Sequence, residues 1–137
     1  MHILVIDGQG GRMGAALTEQ IKKTLPEAEL IAIGTNSAAT AAMLRAGADA
    51  AATGENPVIV NSLWADVIVG PLGIISANSL LGEITPKMAA AVSESRAKKL
   101  LLPVSRCAVT VVGVEEKTLT EYVREAVNEI AALQERN

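Results

Sequence analysis

The residues best suited to chemistry lie in one run, Asp7-Gly8-Gln9-Gly10-Gly11-Arg12-Met13-Gly14. Glycines let a chain turn tightly out of a strand and bring backbone N–H groups against an anion at the next helix N-terminus. The strict dinucleotide spacing is G-x-G-x-x-G. Glycines at 8, 10, 11 and 14 read instead as G-x-G-x-x-x-G, or as a frame with Gln9 in the first glycine position. A P-loop is excluded, because no Gly-Lys-Ser/Thr follows. Asp7 stands at the lip of the loop. Its carboxylate repels a diphosphate unless it holds a metal ion, an amine or loop N–H groups. Capping its own turn and serving a ligand are both open readings of Asp7.

The elements that must position this loop can be read on either side of it. Ile3-Leu4-Val5-Ile6 is a continuous aliphatic run, as expected of a parallel strand covered on both faces. From about Gly11 the pattern turns helical: Met13, Leu17, Ile21 and Leu25 recur every four residues until Pro26 stops them. Leu30-Ile31-Ala32-Ile33 follows as a second buried strand, completing a βαβ unit. Thr35, Asn36 and Ser37 offer N-caps to a helix that Gly47 breaks, and residues 48–53 predict a short third strand. Gly54-Glu55-Asn56-Pro57 reads as an N-cap with Pro at the first helical position, so residues 58–65 are expected helical despite their Val-Ile-Val content. Val67-Ile68-Val69 is strand four, Thr85-Pro86 caps another helix, and Leu100-Leu101-Leu102 is strand five. Only a short connection separates that strand from the valine-rich residues 110–114. A parallel crossover needs a dozen or more residues, so this last strand is expected to return antiparallel as a hairpin. Thr118 and Glu121 form a capping box for the closing helix.

In an open α/β sheet, ligands gather outside the carboxyl ends of the strands, near the point where strand order reverses. Residues 7–14, 34–37, 53–56, 70–76 and 105–107 should share that edge. Thr35, Asn36 and Ser37 stand where a ribose-binding acid would be expected, about 20 residues past the loop. No acid is there, so these residues suit a 2′-phosphate, which favours NADP before NAD. Gly70, Pro71 and Gly73 would border the same ligand. Arg106 could grip a phosphate or carboxylate, and Cys107 could act as a nucleophile or be a small buried hydrophobe.

Two resemblances add to this reading. Gly8-x-x-Gly11-Arg12-Met13-Gly14 is similar to the fingerprint of dihydrodipicolinate reductases. That likeness implies a nicotinamide dinucleotide with Arg12 beside it, but covers only the opening βαβ unit. The chain lacks the length and histidines for that family's substrate domain, so only the cofactor loop carries over. A second resemblance spans the chain. Val5-Ile6-Asp7-Gly8-Gln9-Gly10-Gly11, Gly34-Thr35-Asn36-Ser37, Ala46-Gly47-Ala48-Asp49, Ala52-Thr53-Gly54-Glu55-Asn56, Val69-Gly70-Pro71 and Pro103-Val104-Ser105-Arg106-Cys107 look like a family of short bacterial proteins classed as a domain of unknown function. It implies a Rossmann-like fold and supplies no activity.

Composition sets the outer bounds. With 137 residues, the chain should form one domain spanning 1–137. Half the residues are apolar and none is Phe, so the core must be aliphatic. A net charge of −3 and scarce aromatics argue against a nucleic-acid partner. One His and one Cys leave no basis for a His- or Cys-built metal site and none for an internal disulfide. No apolar run reaches the roughly 18–20 residues of a membrane span, and no signal-peptide order opens the chain, so the cytoplasm is the expected compartment.

The combined expectation is a single three-layer α/β Rossmann-like domain, its sheet mostly parallel with an antiparallel C-terminal hairpin strand. Its function would be to bind a small anionic ligand, a nucleotide or dinucleotide, as a sensor or subunit. Two other classes stay open: a small enzyme using Asp7 and Arg106 on a phosphorylated or carboxylated metabolite, and an assembly protein whose glycine loop is purely structural. A homodimer is expected, with residues 58–64 or the Leu80-Leu81 stretch at its interface.

Overall fold

The structure, a computed structural model, describes residues 1–104 and 108–136. Five strands form one parallel sheet: β1 (His2–Asp7), β2 (Glu29–Gly34), β3 (Ala50–Thr53), β4 (Val67–Pro71) and β5 (Lys98–Leu102), in the order β3-β2-β1-β4-β5. The helices are α1 (Arg12–Thr24), α2 (Ser37–Arg45), α3 (Glu55–Ser62), α4 (Pro86–Glu94) and α5 (Leu119–Glu135). A 3₁₀ turn, Leu72–Ile75, follows β4.

The aliphatic runs explain the layering. Successive strand side chains point to opposite faces, so a strand covered on both sides must be apolar at every position. Ile3 and Val5 of β1 and Val67 and Val69 of β4 pack with Leu17, Ile21 and Met43 of α1 and α2 and with Val123, Val127 and Ile130 of α5. The alternate residues Leu4, Ile6 and Ile68 pack with Val58, Met88 and Val92 of α3 and α4 on the other face. All of these core side chains are buried. Three layers result.

Local signals place the helix starts. Asn36 Oδ1 accepts the Ala39 N–H at 2.9 Å and Thr85 Oγ1 accepts that of Met88 at 3.1 Å, capping α2 and α4. Thr118 Oγ1 accepts the Glu121 N–H at 3.2 Å at the head of α5. The expected helix after Gly54 forms, but it begins at Glu55, so Pro57 is its third residue rather than its first.

The antiparallel hairpin strand is absent: residues 110–114 are irregular, and β5 is an edge. Gly113 adopts φ +88°, and the Val114 N–H turns back toward the Val111 carbonyl. Val111, Val112 and Val114 stay exposed, so pairing them beyond β5 would bury little apolar surface. A valine-rich run without a layer to cover it gains too little to extend the sheet.

No helix among the described residues is long and apolar enough to cross a membrane.

Candidate functional site

Strand order reverses between β1 and β4, and the glycine loop leaves the carboxyl end of β1 at that point. The Gly11 N–H donates to the Gly8 carbonyl at 2.9 Å, closing the turn. Gly11 is N-cap of α1 at φ +73°, and a Cβ there would come within 2.7 Å of the Ala39 Cα. Only glycine fits that crossing of loop and α2.

Asp7 is buried in the turn. Its Oδ1 accepts the Gly8 N–H at 2.8 Å and its Oδ2 accepts the Gly14 N–H at 2.7 Å. Burial pushes its pKa above the ordinary carboxylate value; the Gly14, Gly8 and Met13 N–H groups resist this, while the charge of Glu83 adds to it. Of the two readings of Asp7, this geometry carries out the capping one.

Glu83 is not among the sequence candidates, yet its carboxylate joins the loop to the residues after β2. Its Oε1 accepts the Gln9 N–H at 2.8 Å, the Thr35 hydroxyl at 2.5 Å and the Asn36 side-chain amide at 3.2 Å. The second amide hydrogen of Asn36 reaches the Gln9 carbonyl, at 2.9 Å. Partial burial opposes ionisation of Glu83, but the Gln9, Thr35 and Asn36 donors outweigh it and hold the carboxyl below its usual range. A Cβ on Gly8 would meet Glu83 Oε1 at 2.6 Å, so that glycine makes room for the acid. No motif spacing links positions 9 and 83. The only cue was a lone acid between Leu80-Leu81-Gly82 and Thr85-Pro86.

A cavity of about 350 Å³ opens beside the loop, walled by residues 7–13, Pro71, Gly73, Leu80, Val104 and Leu119. The structure thus gathers the predicted residues Asp7, Gly8, Gln9, Gly10, Gly11, Arg12, Met13, Pro71 and Gly73 around one space. Gly70 is buried in β4 just before them. Thr35 and Asn36 stand behind the loop on Glu83, and Ser37 is exposed at the start of α2. Arg106 and Cys107 lie outside the described residues. A larger recess of about 830 Å³ lies between β5 and α5, but its charged lining is three acids and one base, Glu115, Glu125, Glu129 and Lys117, and its glycine, Gly113, stands in an irregular turn rather than between a strand and a helix N-terminus. The chemistry favours the smaller cavity. Among the described residues no cluster of three or more His, Cys, Asp or Glu could hold a metal ion.

Over residues 2–135 the chain matches the family described as a domain of unknown function, DUF3842. The chain belongs to that family. A solved structure similar to this DUF3842 protein is the dodecameric FMN-dependent UbiX-like decarboxylase from Escherichia coli O157:H7. The two share 16% identity with a TM-score of 0.51, over 96% of this chain and 76% of the other. At that identity the likeness shows a common α/β fold. No curated protein matches the DUF3842 chain.

The expected NADP or NAD is corrected by these findings. The structural neighbour is FMN-dependent, and Thr35 and Asn36, expected to hold a 2′-phosphate, hold a carboxylate instead.

Proposed function

We propose that this protein binds a phosphorylated planar heterocycle, a mononucleotide of the flavin mononucleotide kind, in the cavity beside the glycine loop. The observation that carries the reading is the cavity's place and make-up. It opens at the strand-order reversal, with loop backbone and the head of α1 on one side. Met13, Pro71, Leu80, Val104 and Leu119 add apolar surface for a ring.

The donor inventory supports one phosphate rather than a dinucleotide's two. Asp7 and Glu83 engage the N–H groups of Gly8, Gln9 and Gly14. The first-turn N–H of Arg12 has no acceptor within its helix, and its exposed guanidinium is at the same end. FMN, when bound, would supply redox chemistry through its ring; the residues here would hold the phosphate and exclude water from one ring face.

Calorimetric titration with FMN should give a Kd at or below roughly 100 μM, about −5.5 kcal/mol, with riboflavin at least tenfold weaker. Gly10 has open space around its Cβ position and is outside the left-handed region. Gly10→Asp should therefore weaken FMN binding at least tenfold by charge while leaving Tm nearly unchanged. No heat with FMN, or equal affinity for riboflavin, overturns the reading.

Self-association belongs to the same proposal. Leu63 and Trp64, 76% and 72% exposed, follow α3 directly as an apolar pair suited to a homodimer contact.

A further inference from the structure

Three donors from two separate elements converge on a single oxygen of Glu83: the Gln9 N–H, the Thr35 hydroxyl and the Asn36 amide. Gln9 is in the glycine loop, whereas Thr35 and Asn36 follow β2. Such a cradle recognises an oxyanion, and a carboxylate is one of the groups that fits it. We propose that this cradle is a phosphate seat, filled by Glu83 in the free protein and taken over by the ligand's phosphate, which releases the 76–84 segment from the loop. The inference rests on the mononucleotide reading and moves its phosphate from the Arg12 end of the loop, the donor left open in the free protein, to the Gln9, Thr35 and Asn36 donors, which open once Glu83 leaves them.

The segment that carries Glu83 is built for such an exchange. Asn78, Leu80 and Leu81 have φ of +65°, +55° and +57°. For non-glycine residues these conformations are costly and persist where surrounding contacts impose them. Leu81 is 96% exposed, so no packing of its own side chain offsets that cost. Glu83 is the charged tie between the segment and the loop. A phosphate monoester near pH 7 carries about −1.5 to −2 charges on three acceptor oxygens, against one charge on the carboxylate. It can therefore displace the acid from the same donors. Leu80, which also walls the cavity, would move with the segment and widen the entrance.

Inorganic phosphate is the probe that separates this inference from the mononucleotide reading. Its titration, followed by the amide signals of Gln9, Thr35 and Asn36, should move those signals and give a dissociation constant at least tenfold lower in Glu83→Gln than in the wild type. Thr35→Val in the Glu83→Gln background should remove most of that gain. In the wild type, saturating phosphate should speed hydrogen exchange across residues 76–84, and chloride at equal ionic strength should not. The wild-type exchange experiment decides the matter if Glu83→Gln folds poorly. Phosphate tightening without any FMN binding would keep the seat and remove the mononucleotide reading. FMN binding with no gain in Glu83→Gln and no shift at those three residues would keep that reading and overturn the seat. Unchanged phosphate affinity and unchanged exchange overturn it as well, leaving Glu83 a structural tie.

Discussion

Asp7 and Glu83 bring two carboxylates to one glycine turn, and their environments push them in opposite directions. Burial raises Asp7, so its contribution to stability is fully present below its unfolded value of 3.8 and is lost as pH rises through its folded pKa. Glu83 is held low by its donors despite partial burial, so its contribution is present above 4.5 and lost as pH falls through its folded pKa. Urea midpoints across pH should show both signs. The deficit of Asp7→Asn relative to wild type should narrow as pH rises, whereas that of Glu83→Gln should vanish in acid. At neutral pH, Asp7→Asn should cost about 1–3 kcal/mol, because its NH₂ must face one of two N–H donors. Parallel slopes for the two variants would refute the assignment. At this scale the glycine loop could be read from sequence because its parts are contiguous. Glu83 could not, because tertiary contact alone joins it to Gln9. The same limit hid the difference between neighbouring glycines: Gly10 faces open space, while Gly11 is pressed against α2.

The segment between the 3₁₀ turn and α4 holds three of the four described non-glycine residues with left-handed φ, Gln9 of the glycine loop being the fourth. Leu81→Gly should relieve a left-handed leucine, offset in part by glycine's greater freedom when unfolded, for a net gain of about 0.5–1 kcal/mol. Thermal unfolding should show a Tm rise of roughly 2–4 °C. A fall in Tm would mean that Leu81 makes a contact its exposure conceals. Element type was readable where local and tertiary demands agreed, as in β1, where an unbroken aliphatic run meets helices on both faces. They disagreed in two places. In α3 the Val-Ile-Val content favoured a strand, but Gly54 and the need to cross from β3 to β4 made a helix. In residues 110–114 the valines favoured a strand, but no layer covers them and the sheet ends at β5.

For the whole molecule, the βα alternation announced a parallel three-layer domain, while the order β3-β2-β1-β4-β5 depends on which strands find each other after each crossover. That order brings the loop, the Pro71 turn and the start of α5 to one edge and leaves Leu63 and Trp64 at the other. Light scattering at micromolar concentration should give a mass above the 14.2 kDa of one chain, twice that for a dimer. Trp64→Ala should shift the population toward monomer without lowering monomer stability, since the side chain is largely exposed. A mass near 14 kDa for the wild type would refute self-association, and an intact oligomer in the variant would place the contact elsewhere.

Trp64 is also the chain's single indole. It lies beside His2, Ile3 and Ala65, at the end of the sheet remote from the glycine loop. Its intrinsic fluorescence should therefore be that of a solvated indole in the monomer. Phosphate at the loop should leave the emission wavelength unmoved, because no quencher or polarity change reaches that far end. Dilution of an oligomer that covers the indole should move the emission to the red. One chromophore would then report assembly while remaining blind to the site, which separates the two events within a single sample.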